Sequence, residues 1–178
     1  VPSQGSCGSS GDLAPLAHLG LLLSHQPQDP DNETGEAWVG GKRLFGRQAL
    51  ERVGIKTLQL GPKEGLALTN GAQLSTAFAA LALYDAQRLV RLAEIAAAMS
   101  IEALRGVTRA FHPAVHALRP YQGAQHCAAN LLSLLQGSKL TNTIEGKVQD
   151  AYSLRCTPQI VGSARDALRH VHEQILVE

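Results

Sequence analysis

Aromatic side chains are scarce: tryptophan, tyrosine and phenylalanine together make up 4% of the 178 residues. A sheet-rich fold, which packs aromatic and β-branched side chains on pleated faces, is therefore not expected. Cysteine is rarer still. Cys7, Cys127 and Cys156 are odd in number, widely spaced and without a CxxC pair. That argues against a disulfide framework or a metal site, and for a reducing, cytoplasmic compartment. Charge of one sign is missing too: 16 basic against 15 acidic residues leave a formal charge of +1. Such a balance attracts neither nucleic acid nor an anionic membrane. Apolar runs are broken by His18, Gln73 or Arg88, so no membrane-spanning segment is expected. There is no initiator methionine, no basic or apolar leader after Val1, and the end at Ile175-Leu176-Val177-Glu178 falls inside a helical pattern. An internal fragment without a signal peptide is expected.

What the chain does have is alanine and leucine, within a hydrophobic content of 44%. That suffices for a sizeable core built from helices that pack through small residues. The Gly/Ser-rich loop 1–11 leads into Asp12-Leu13-Ala14-Pro15, which reads as a helix start with Asp as cap and Pro in the first turn. Leu16, Leu19, Leu22 and Leu23 carry that helix on. Residues 26–36 are polar and read as a surface loop. A hairpin is predicted around Gly40-Gly41, a short amphipathic helix over 46–53, and a helical start at 64–69. Residues 72–104 run with hardly a breaker and are apolar on more than one face, which predicts a helix buried in a bundle. Helices are also expected over 124–135 and 158–177, separated by a loop at 137–147 and by 148–157, which has no clear period.

Taken singly, the residues with chemical capability have plain readings. His112 and His116 stand four apart, a metal-compatible spacing, but Pro113 lies between them and no carboxylate is near, so an exposed helix start is expected. His170 and His172 read as surface residues, and Arg88, Arg91 and Glu94 as a solvated stripe. Arg155 alone would be a surface ion pair, Tyr152 a core aromatic, and Asn70-Gly71 an ordinary helix-to-turn signal.

Three stretches outweigh those readings when taken in order. Gly8-Ser9-Ser10-Gly11-Asp12-Leu13-Ala14-Pro15-Leu16 resembles the signature of the aromatic amino acid ammonia-lyases. Lys63-Glu64-Gly65-Leu66-Ala67-Leu68-Thr69-Asn70-Gly71 is similar to a second motif of that family. Lys147-Val148-Gln149-Asp150-Ala151-Tyr152-Ser153-Leu154-Arg155-Cys156-Thr157-Pro158-Gln159 is similar to a third. The resemblance covers nearly the whole chain. It implies a mainly α fold, a long-helix bundle of the ammonia-lyase (L-aspartase-like) type with one small β hairpin. Residues 1–61 would form the cofactor loop, helix and hairpin, and 62–178 a central helical region with the substrate-binding stretch 147–159.

The resemblance further implies that Ser9-Ser10-Gly11 cyclises unaided into 4-methylidene-imidazol-5-one, with no external cofactor. Ser10 would supply the electrophilic methylene; Ser9, where the family commonly has Ala, would lend only its carbonyl. Gly11, lacking Cβ, lets its nitrogen approach that carbonyl closely. A helix beginning there would set its positive end beside the ring. Arg155 would fork onto the substrate carboxylate, Asn70 would hydrogen-bond near it, and Tyr152 and Gln149 would orient substrate and ring. The implied reaction is loss of ammonia from an amino acid in a homotetramer with shared active sites. The form Gln149-Asp150-x-Tyr152-Ser153-Leu154-Arg155-Cys156 favours L-histidine, giving trans-urocanate. Ala151 keeps open a phenylalanine or tyrosine lyase or an aminomutase, and Ser9 keeps open a non-catalytic helical scaffold.

Overall fold

A computed structural model describes residues 1–8 and 10–178. It divides into two compact units, Val1–Phe78 and Ala79–Glu178. Apart from one hairpin, the regular structure of both is helical, which agrees with the mainly α expectation.

In the first unit, α1 (Leu13–Ser24) is followed by β1 (Glu36–Val39) and β2 (Lys42–Phe45), then α2 (Gly46–Val53) and α3 (Glu64–Thr69). The strands pair antiparallel from Glu36↔Phe45 to Val39↔Lys42. Gly40 and Gly41 both lie at positive φ, +57° and +76°, the pair that a two-residue turn matched to strand twist demands. Leu16, Ala49 and Leu50 are buried, and α1 packs on α2 and α3. Two expectations need correction. Asp12 occupies the N-cap position of α1 but its side chain does not cap, because that carboxylate is engaged elsewhere, by Ser6 and Ser75. The polar loop 26–36 is not wholly at the surface: Thr34 is fully buried and its hydroxyl donates to the Asp31 carbonyl at 2.7 Å.

The long helix α4 spans Gln73–Ala103. Within this chain it buries only Leu83, Glu94, Ala98 and Ile101, while Phe78, Leu81, Leu89, Leu92, Ile95 and Met99 remain exposed. The residues Glu64–Ala103 also contain an 18-residue window of mean hydropathy 1.3, long and apolar enough to cross a membrane by length and composition. This corrects the expectation that no segment reaches that level. Alanine and leucine lift the average despite Asn70 and Gln73. The break at 70–72 between α3 and α4 frees backbone polar groups that hydrocarbon does not satisfy.

The second unit contains most of α4, then α5 (Pro113–Ala117), α6 (Gln122–Leu134), the single turn α7 (Tyr152–Arg155) and α8 (Thr157–Ile175). Its core joins Ala98 and Ile101 of α4 to Phe111 and to Cys127, Ala128, Leu131 and Leu135. Phe111, Ile101 and Leu131 are essentially sealed from water, each stabilising the unit by about 1.5–3 kcal/mol. Helices α6 and α8 make the most extensive contact, and they touch backbone to backbone: a Cβ on Gly162 would lie 2.5 Å from the Ala124 Cα.

Glu94 overturns the solvated-stripe reading. It is 2% exposed; Arg165 donates to it from Nε at 2.5 Å and Nη2 at 2.7 Å, and Asn130 at 2.9 Å. Burial alone would raise its pKa, yet the Arg165 and Asn130 hydrogen bonds outweigh that and hold it low. Beside it, burial and then the Glu94 charge push the Cys127 thiol up to about 12. Arg88 and Arg91 are exposed as expected, Arg88 lying over the Tyr84 ring. His116 is also corrected: it is buried, its Nε2 3.2 Å from the Ala110 carbonyl. His112 is exposed and caps α5 by accepting the Ala114 N–H.

Candidate functional site

In the first unit the glycine-rich loop is fastened at its end. Gly11 sits at φ +108°, and a Cβ there would lie 2.7 Å from the Gly71 carbonyl oxygen and 2.9 Å from its nitrogen. Both the dihedral and the approach require glycine. The next residue continues the contact, Asp12 N–H donating to the Gly71 carbonyl at 2.7 Å. The Asp12 carboxylate is completely buried. It accepts from the Ser6 hydroxyl and, across 63 positions, from the Ser75 N–H at 2.8 Å and hydroxyl at 2.9 Å. The Ser6 hydroxyl and the Ser75 N–H hold its pKa below the usual carboxylate range, against burial. Helix α1 starts two residues after Gly11.

The structure thus brings Gly11 together with the Asn70-Gly71 pair. Ser10 and Asn70 are both exposed, and Asn70 closes α3 by donating its N–H to Leu66. Ser9 lies outside the described residues. Ser6 and Ser75 fasten the loop, and the sequence pattern did not mark either of them. Gly11 also bears on the ring that the resemblance implies. A cradle closed to any Cβ holds the residue whose nitrogen would act, so Gly11 fits that group.

In the second unit Tyr152 and Arg155 are three apart on α7. The Arg155 guanidinium lies 4.2 Å from the centre of the Tyr152 ring, a cation–π contact that supplies about 0.5–1 kcal/mol at an exposed ring. Among the described residues Arg155 forms no ion pair, and its Nε is buried without a hydrogen-bond partner. The surface ion pair expected of Arg155 alone is not seen, nor is Tyr152 a core aromatic; it is 71% exposed. A guanidinium held over a ring, with no carboxylate of its own, is suited to receive one from a ligand. Arg155 and Gln149 line a cleft of about 300 Å³ together with Arg109 and Gln159. Gln159 ends the third motif, but the sequence did not single out Arg109, because the short turn carrying it has no period to read.

A sequence profile described as aromatic amino acid lyase matches residues 1–178. The histidine ammonia-lyase of Alkaliphilus metalliredigens is 47% identical over 179 residues, covering 100% of this chain and 34% of that protein. The histidine ammonia-lyase of Gloeobacter violaceus is 49% identical over 180 residues with the same coverage. Among solved structures, phenylalanine ammonia-lyase from the yeast Rhodosporidium toruloides superposes with a TM-score of 0.83 at 35% identity, over 100% of this chain and 28% of that one. Pantoea agglomerans phenylalanine aminomutase gives 0.77 at 34% identity, over 96% and 35%. The chain spans about a third of the length of the curated relatives it matches.

Proposed function

This chain belongs to the aromatic amino acid lyase family, and from that premise we propose that its protein eliminates ammonia from L-histidine to give trans-urocanate. The observation that carries the reading is Gly11, pressed without room for a Cβ against the Gly71 backbone directly before α1. Ser9, Ser10 and Gly11 form the methylidene-imidazolone, which supplies an electrophile that makes ammonia easier to expel. The residues around it bind and orient. Arg155 pairs with the substrate carboxylate, and its contact with the Tyr152 ring limits where the fork can lie. By the family resemblance Asn70 would hydrogen-bond near the substrate carboxylate, and Gln149 and Tyr152 would orient the substrate and the ring. Positioning of this kind shortens the distance between reacting atoms and so lowers the barrier.

The relatives named histidine ammonia-lyase at 47–49% identity support histidine as the substrate, as does the motif ending at Cys156. The protein works as a cytoplasmic homotetramer, in which further copies cover the apolar residues that α4 leaves exposed. Residues 1–61 carry the cofactor loop, and the 62–178 region carries the substrate stretch 147–159. Ala151 favours the second reading, a phenylalanine or tyrosine lyase or aminomutase. Full-length protein supplied with histidine, phenylalanine and tyrosine should release ammonia with the highest kcat/KM from histidine. A preference for either other amino acid, or a β-amino acid product, moves the assignment to the second reading. No ammonia from any of them leaves a helical scaffold.

A further inference from the structure

The turn that carries Tyr152 and Arg155 has little reason of its own to exist. Helix α7 is four residues long and buries none of them, and a single helical turn is far below the length that holds itself together in water. Leu154 packs against the core of the unit, and the rest of the turn's geometry comes from its ends. At the far end the Thr157 hydroxyl donates to the Leu154 carbonyl at 2.8 Å, and Thr157 and Pro158 are buried. At the near end stands Asp150, whose side chain is 2% exposed. One carboxylate oxygen accepts the Val107 N–H at 2.6 Å and the other meets Lys147 Nζ at 2.6 Å. Lys147 also reaches the carbonyls of Leu104 and Arg105, at 3.4 and 3.3 Å, where α4 ends and its last carbonyls lack helical partners. Gly106 leaves the room: a Cβ there would lie 2.7 Å from Ile101 Cγ2 and 3.2 Å from the Asp150 carboxylate.

We propose that Lys147 and Asp150 are positioning residues, a latch that pins the substrate-binding stretch to the end of α4 so that Arg155 presents its guanidinium at a fixed place. The proposal rests on the lyase reading above and adds to it two residues that need not touch substrate. The latch is reinforced by the same turn on its other side. Asn142 accepts the Thr108 N–H at 2.9 Å and donates its own N–H to the Gly106 carbonyl at 2.9 Å, while Arg105 Nε donates to the Thr143 hydroxyl at 2.8 Å. Burial would raise the Asp150 pKa, but the Lys147 contact and the Val107 N–H hold it below the usual range, so the latch is charged at neutral pH. An ångström of slack at Asp150 is passed to Arg155, because only the short turn α7 lies between them.

The test uses full-length protein carrying Asp150→Asn, and separately Lys147→Met, which spares the Val107 bond should the first variant fold badly. Each is expected to lower kcat/KM by about 10–100-fold through misplacement, with the assembly intact. In an Arg155→Lys background either change should cost less than about 3-fold, since there is no longer a fork to aim. Inhibition by the decarboxylated amine of the substrate should be unchanged, because that ligand does not use Arg155. Wild-type kcat/KM in both variants, or losses that simply multiply with Arg155→Lys, overturn the proposal. Hydrogen exchange separates this from failure of the lyase reading. If the wild-type protein releases no ammonia, faster exchange across 147–155 in Asp150→Asn still upholds the latch, and unchanged exchange refutes it.

Discussion

Replacing Gly162 by alanine sets two effects of opposite sign against each other. Alanine is better than glycine inside a helix by about 1 kcal/mol. At Gly162 the new methyl would lie 2.5 Å from the Ala124 Cα and 2.7 Å from the Gly123 carbonyl carbon, about 1 Å inside ordinary carbon contact. Overfilling a core costs about 1–3 kcal/mol. The obstacle here is backbone, which cannot rotate aside as a side chain can, so the upper end applies and α8 has to retreat from α6. The net expectation is a destabilisation of about 2 kcal/mol. Gly20 is the matched control, also buried and inside a helix. A Cβ there would meet nothing closer than Leu68 Cδ1 at 3.8 Å, so Gly20→Ala should gain up to about 1 kcal/mol. Denaturant unfolding of the two full-length variants should move the midpoint in opposite directions. A shift of the same sign in both would refute the reasoning that backbone approach decides the outcome.

Ser10→Ala should abolish both activity and the loss of two waters from the peptide containing Ser9-Ser10-Gly11, as read by mass, whereas Ser9→Ala should keep both. An unmodified peptide from active wild-type protein would remove the cofactor assignment. Arg155→Lys should lose about 2–4 kcal/mol of transition-state stabilisation, because an ammonium cannot offer two parallel donors; unchanged kcat/KM would take Arg155 out of the site. Asp12, Glu94 and Asp150 all have pKa values below their ordinary 3.8, 4.5 and 3.8. Their contribution is therefore present above those values and lost as pH falls through and below them. Stability measured from pH 6 downward should drop from about pH 4.5, and in Glu94→Gln the drop should be shallower.

The elements that the sequence makes legible are those whose cause is local. The hairpin follows from Gly40-Gly41, the end of α2 from Gly54, and α4 from an unbroken run of good helix formers. Partners distant in the chain are not legible. Glu94 has the spacing of a surface stripe because Arg165 lies 71 positions on. Asp12 has the place of a helix cap because Ser75 lies 63 positions on, and in a competition for one carboxylate the three donors from Ser6 and Ser75 win. His116 is different: its partner, the Ala110 carbonyl, is only six positions away, but it lies in a short turn that has no period to read. In the candidate site, the order of three motifs identifies Ser10, Gly11, Asn70, Gln149, Tyr152 and Arg155 by resemblance. Nothing in periodicity reveals α7, because one turn is too short to show a period, and the third motif contains Lys147 and Asp150 without showing that they pair or what they hold.

The fastening of Asp12 by Ser75 has a meaning for the chain while it is being made. The two residues are 63 positions apart, and a ribosome adds about 5–20 residues each second. Once residue 12 has been added, its carboxylate waits roughly 3–13 s before Ser75 even exists. Through that interval the Gly/Ser loop has only Ser6, from within itself, to hold it. The loop therefore reaches its final shape late, when the helix that begins at Gln73 has docked, and any chemistry that needs Gly11 held against Gly71 is scheduled by the arrival of a residue far downstream.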